Sequence, residues 1–214
     1  MLRYCIYLLI SQILSSFYAF HDYNLKNTLK GKIIAVNTFK NIEELMVRKY
    51  LNSIGITWAD VEKVEVPFPR MLPLIEAEEV NVISIVEPFI TIAKNDNSTK
   101  WLCNHYLTTT QKTLVATYVS SEQIVNDKKK IIEKFVSAMN NATEFINKNE
   151  GKSREIISRY TKIPPELLSE IGLSEFATNI ELSQLDMVIK DMQAFEYLSN
   201  FSIPTSKELV WKSE

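Results

Sequence analysis

Asn37, Thr38 and Asn41 stand between the β-branched run IIAV at 33–36 and an amphipathic segment that starts at residue 42. Such side chains hydrogen-bond without carrying charge. The first turn of a helix adds free backbone N–H groups and a partial positive charge, which favours an anion by roughly 0.3–1 kcal/mol. A sulfonate, nitrate or carboxylate suits this loop, and so does a polar heterocycle. The same residues have structural uses too: Asn41 is a good helix N-cap and Thr38 a turn residue. Glu87 precedes Pro88 at the end of the run VNVISIV. Pro88 steers Glu87 away from helical geometry and suits the first position of the next helix. Glu87 accepts hydrogen bonds from a ligand amine, locks a hinge, or is a structural carboxylate at a helix start. Phe68, Phe39 and Trp101 are candidate aromatic walls for a ring ligand, although aromatics at strand ends more often serve the core. Glu65 reads as exposed, and His105, in a polar loop, as a surface histidine.

Other chemistries find little support. Lys+Arg number 24 against 26 Asp+Glu, a formal net charge of -2, and the charges are scattered. No basic half exists to hold nucleic acid, and Lys128-Lys129-Lys130 reads as a solvated face. With 4 glycines and no Gly-rich motif, no phosphate loop is expected. His21 and His105 are too few and too far apart for a histidine metal site. Cys5 lies in an apolar amino-terminal run, which leaves Cys103 alone if that run is removed. The Asn-x-Ser/Thr sequons at Asn97, Asn141 and Asn200 matter only in a eukaryotic secretory setting. No catalytic residue, metal or cofactor is expected, so the residues favour a binding protein over an enzyme.

The elements that must position these residues alternate. A strand at 33–36 leads through the loop to a helix with Asn41 at its N-cap and Glu44 three residues on, a capping box. Gly55 falls at the C′ position and ends that helix. Residues 61–68 alternate as a strand, 69–79 form a short helix, 80–86 a buried strand, and a helix follows to about residue 94. Such alternation predicts a parallel α/β sheet. Residues 101–103 suit a short strand and 114–119 another. The rest is helical: a long apolar stripe from Ile131 to Ile146, then helices at 153–161, 165–171 and 182–198, with order ending at Pro204.

Residues 4–20, YCIYLLISQILSSFYAF, follow a cationic start and fit a secretory signal peptide. A buried piece of a folded lobe and an uncleaved anchor are the other readings of so short a run.

The stretch LKGKIIAVNT at 29–38 resembles the opening of the second lobe in the sulfonate/nitrate/taurine and thiamine-pyrimidine-precursor group of ABC-transporter substrate-binding proteins. Three stretches agree with it in order and spacing. Val64 to Pro69 with Met71 resembles the family's strand and P-F-x-x-M loop, VISIVEPF at 82–89 its D-A-x-x-x-V-E-P-F strand, and residues 118–138 its return strand and helix. The chain departs from the pattern at Glu78, where Gly is usual, and at Asn81, where Asp is usual. A complete member also has several β/α units before this point, where here only the apolar run stands.

The resemblance implies an α/β fold of the periplasmic-binding-protein type II kind, with C-terminal helices returning to an incomplete first lobe. The expected division is a leader at 1–20, an incomplete first lobe from 21–30 and 111–214, and a second lobe at 31–110. It implies a small-molecule ligand at Asn37, Thr38, Asn41, Phe68 and Glu87, held in an interlobe cleft and handed to the membrane permease of an ABC importer. Location would be periplasmic or extracellular if the leader is a signal peptide. Two alternatives accompany it. One is a truncated remnant that binds nothing, its apolar stripe exposed and prone to self-association. The other is a relative of thiamine-pyrimidine synthases, enzymes that carry a cysteine-rich motif where this chain has only Cys103 outside the leader.

Overall fold

The computed structural model describes residues 4–12, 15–20, 29–108, 113–198 and 203–211. The chain divides into two compact units. Unit 1 is Met1–Gln12, Lys112–Ser169 and Ser174–Glu214, and unit 2 is Ile13–Gln111 and Glu170–Leu173. Unit 2 thus takes in residues 13–30 and 170–173, beyond the expected span of 31–110. The run that reads as a leader forms two strands, β1 (Tyr4–Gln12) and β2 (Ser15–Phe20). Residues 15–19 are fully buried in a sheet. A strand with both faces covered is apolar without alternation, and over so few residues its composition matches that of a signal peptide.

In unit 2 the chain runs β3 (Ile33–Val36), α1 (Ile42–Ser53), β4 (Glu62–Glu65), α2 (Phe68–Glu76), β5 (Val82–Val86), α3 (Phe89–Asn95) and β6 (Thr99–Cys103). The sheet order is β4-β3-β5-β2-β6. β3 is parallel to β4 and β5, as helical crossovers require, whereas β2 is antiparallel to both β5 and β6. The expected parallel sheet is therefore mixed: β2 alone opposes the other four strands. Period-two alternation sorts the core. Phe17, Ala19, Ile34, Val36 and Val82 pack on one face with Val47 and Leu51 of α1. Tyr18, Ala35, Ile83 and Ile85 pack on the other with Met71, Ile75 and Ile90 of α2 and α3. Each large apolar side chain so buried contributes about 1.5–3 kcal/mol. Residues 170–173 return to this unit, where Asn95 Nδ2 donates to Glu170 (3.0 Å) and the Gly172 N–H to Glu87 (3.2 Å).

In unit 1, β1 lies between β7 (Ala116–Ser121) and β8 (Glu175–Ala177), antiparallel to both. Helices α4 (Glu122–Asp127), α5 (Lys129–Lys148), α6 (Glu150–Thr161), α7 (Pro165–Glu170), α8 (Leu182–Ala194) and α9 (Ser206–Leu209) complete it. Order does not end at Pro204 as expected. Thr205 donates to Glu208 through its N–H (2.8 Å) and Oγ1 (2.9 Å), which starts α9. The apolar stripe of α5 is largely uncovered: Ile131 is 62% exposed, and Val119 on β7 is exposed to the same degree. No residue of β7 is buried, in contrast to its counterpart β2, the crossing strand of unit 2.

Helix α1 stops as its sequence requires. Gly55 takes φ 77, its N–H donates to the Asn52 carbonyl (3.1 Å), and the Ile56 N–H donates to that of Leu51 (2.9 Å). This is a Schellman closure, with Ile56 and Leu51 both in the core beyond it. A Cβ at Gly55 meets nothing within 4 Å, so only backbone strain opposes substitution. Gly55→Ala should destabilise unit 2 by about 1 kcal/mol, measured as a lower denaturant midpoint with an unchanged m-value.

Candidate functional site

Topology brings the five candidate ligand residues together. Asn37, Thr38 and Asn41 follow the carboxyl end of β3, Phe68 follows that of β4, and Glu87 that of β5. These three strands are adjacent and parallel. Ligands of open α/β sheets bind beyond the carboxyl ends of such strands, where helices begin.

The loop between β3 and α1 is tied down from several sides. Asn41 Oδ1 accepts from the Glu44 N–H (3.0 Å), the expected N-cap, and Asn41 Nδ2 donates to Asn37 Oδ1 (2.9 Å). The expected capping box is modified. Glu44 accepts from the N–H of Lys40, one residue before the cap, and pairs with Arg48. Glu65 is exposed as expected, yet its carboxylate accepts from the Phe39 N–H (3.2 Å). Thr38 is exposed, while Asn37 and Asn41 are half-buried. Phe68 opens α2 instead of closing a strand, because Pro69 suits the first turn of a helix, and it stacks on Phe89 with centroids 6.0 Å apart. Trp101 is 53% exposed, and its indole N–H meets Ser16 Oγ at 3.4 Å.

Glu87 is fully engaged. One carboxylate oxygen accepts from the Thr91 N–H (3.1 Å) and Oγ1 (2.9 Å), the other from the Gly172 N–H (3.2 Å). Pro88 is the N-cap of α3, one position before the expected one. Of the sequence readings of Glu87, its bonds to Thr91 are those of the structural carboxylate at a helix start. Burial, with the nearby Glu87 charge, pushes the Tyr18 phenol up to about 12.

The sequence reading missed a second cluster. His105 is no surface residue: it is 0% exposed and stacks on Phe17 with centroids 4.4 Å apart. Its Nε2 lies 3.1 Å from Glu43 Oε1, which also accepts from Ser15 Oγ (2.7 Å) and from Ser84 Oγ. Glu43 Oε2 accepts from the Tyr106 hydroxyl (2.8 Å). Burial acts to raise the Glu43 pKa, but the His105, Ser84 and Ser15 donors outweigh it and hold the carboxyl below its ordinary value. Burial and the Glu43 charge push the Tyr106 phenol far up. Serine, histidine and glutamate together suggest a hydrolytic triad, but the geometry rejects one. Ser84 and Glu43 meet the same ring nitrogen, Nε2, while Nδ1 is buried with no hydrogen-bond partner. A relay needs both nitrogens, one for the nucleophile and one for the orienting carboxylate. The cluster is a buried lock. Ser84, a polar residue inside the apolar run VNVISIV, was its one sequence signal.

A carboxyl whose folded pKa lies below its unfolded value, ordinarily near 4.3, stabilises the fold fully above that value. The stability is lost as pH falls through the lower, folded pKa. Glu43→Gln should therefore destabilise unit 2 at neutral pH by about 3 kcal/mol, since it leaves buried donors unmatched. It should also flatten the fall in stability below about pH 4. Urea melts of both proteins between neutral and acid pH check this, and parallel pH profiles would contradict it.

Comparison with known proteins agrees with the fold. No curated protein sequence matches the chain significantly. Solved structures do match. The alkanesulfonate-binding protein SsuA from Xanthomonas axonopodis pv. citri, bound to MOPS, is 16% identical with a TM-score of 0.76; the match covers 99% of this chain and 74% of that one. The periplasmic aliphatic sulphonate binding protein SsuA from Escherichia coli is 10% identical with a TM-score of 0.76, over 100% of this chain and 70% of that one. The periplasmic nitrate-binding protein NrtA from Synechocystis PCC 6803 is 14% identical with a TM-score of 0.73, over 96% of this chain and 63% of that one. At such identities the likeness is one of fold, and the expected periplasmic-binding-protein type II architecture holds. The NMT1/THI5-like family profile matches residues 4–152, more than half of the chain, and the protein belongs to that family.

Proposed function

We propose that the chain is the solute-binding component of an ABC importer, which captures a small ligand and delivers it to a membrane permease. The observation that carries this reading is the convergence of Asn37, Thr38, Asn41, Phe68 and Glu87 beyond the carboxyl ends of three adjacent parallel strands. Asn37, Asn41 and Thr38 supply uncharged polar contacts at the start of α1, and the aromatic pair Phe68–Phe89 offers a flat apolar surface. The acidic first turn of α1 does not bar an anion. Glu43 is matched by buried donors and Glu44 by Arg48. The ligand classes that fit are sulfonates, taurine, nitrate and a thiamine-pyrimidine precursor. The periplasmic neighbours support the periplasm or cell exterior as the place of action, and no catalytic role is assigned.

A second reading, a remnant that binds nothing, is favoured by the uncovered apolar face of α5 and the exposed β7. A thermal-shift scan of the full chain against taurine, alkanesulfonates, nitrate and an aminopyrimidine separates the two. A ligand bound only by the folded state adds about 2.7 kcal/mol at one hundred times its Kd, so one ligand class should raise the melting temperature. Thr38→Ala should remove most of that rise and leave the ligand-free melt within about 0.5 kcal/mol, as suits an exposed side chain. A cooperative melt that no compound moves would rule out the transport reading in favour of the remnant.

A further inference from the structure

Three parts of unit 2 meet at one carboxylate. Glu43 lies two residues after Asn41, the cap of the candidate ligand loop. Ser15 is the first residue of β2, directly after the connection at 13–14 that brings the chain from unit 1. His105 and Tyr106 lie in the turn His105–Thr108, just before the chain returns to unit 1. Glu43 accepts from Ser15 and His105 on one oxygen and from Tyr106 on the other. From these placements we infer that Glu43 is a positioning residue that couples the loop 37–41 to two of the chain segments by which unit 2 joins the rest of the protein, the one before β2 and the one after Thr108. The inference rests on the solute-binding reading only for what the loop would hold.

The physical reason is that these bonds are hard to exchange. A carboxylate only accepts, and this one is buried, so a donor that moves away leaves an uncompensated charge. When the first turn of α1 moves, Ser15, His105 and Tyr106 must follow it or the site breaks. His105 depends on Glu43 most. Its Nδ1 has no hydrogen-bond partner, so its polar anchoring is all at Nε2, beside the stack on Phe17 and the edge contact with Tyr106. Around the carboxylate the other groups are Ser84 from β5, Phe17 from β2 and Tyr50, which meets Phe17 edge-on at 5.5 Å. None of these bears a charge that could replace Glu43.

The test is a double-mutant cycle read by amide hydrogen exchange on the full chain, with no ligand present. Asn41→Ala removes the cap and loosens the loop. It should speed exchange at Ser15–Ala19 and at His105 and Tyr106 by about fivefold, the low end of ordinary coupling between sites. In the Glu43→Gln background the same change should add nothing at those amides. Gly55→Ala, which perturbs the far end of α1, should leave them within about twofold once global stability is matched. Tyr106→Phe keeps the carboxylate and covers the case in which Glu43→Gln fails to fold. It should abolish the response at Tyr106 and preserve it at Ser15. Additive effects in the double mutant, or amides near the crossings that ignore Asn41→Ala, would overturn the proposal. Failure of every compound in the thermal-shift scan would strike the transport reading and leave this coupling standing.

Discussion

Burying a carboxylate is costly unless its charge is fully matched, and Glu43 sits on the buried face of the first turn of α1. The sheet and the turn that follows it supply the match. Ser15 comes from β2, Ser84 from β5, and His105 and Tyr106 from the turn after β6. A misplaced strand or a slipped register would leave the charge without donors. The cluster therefore constrains how α1 lies on the sheet, and through α1 where the loop 37–41 stands. Apolar packing of Val47 and Leu51 on Phe17 and Val82 supplies most of the driving force on that face, but it is less particular about position.

β2 shows the same constraint from the side of topology. It is antiparallel to both its neighbours, β5 and β6, is buried at residues 15–19, and is the strand that joins β6 to the rest of the unit 2 sheet. β7 makes the corresponding crossing in the other direction, with β1 as its only sheet neighbour among the described residues. Its side chains remain outside the core. Two crossing strands of similar length thus end in different environments. β2 is paired on both edges, by β5 and β6, whereas β7 pairs among the described residues with β1 alone.

Membership of the NMT1/THI5-like family and the shared fold set a frame, and the geometry narrows what this chain does within it. Glu87 serves the start of α3 and the return segment at Gly172, so under the proposed solute-binding reading the uncharged side chains of the loop after β3 are the chief polar groups left for a ligand. Serine, histidine and glutamate are present but sealed and joined through a single ring nitrogen, a geometry for holding rather than reacting.

Local rules made much of unit 2 legible. The alternation of apolar runs and amphipathic segments marked β3, α1, β4, α2, β5 and α3. Asn41 and Gly55 marked the ends of α1, because capping and left-handed closure depend on residues a few positions apart. The places of the candidate ligand residues, between the end of a strand and the start of the next helix, were legible for the same reason. The apolar run at 4–20 was not: its composition serves a leader and a doubly covered strand equally, and only pairing with β5 and β6 decided between them for β2. The Glu43 cluster was beyond local reading altogether. Its partners lie 28, 41, 62 and 63 residues away along the chain, so no spacing rule links them. Composition and pattern determined the elements of unit 2. The fold decided which polar side chains would face one another in the dry interior, because burial and partnership are properties of the assembled sheet.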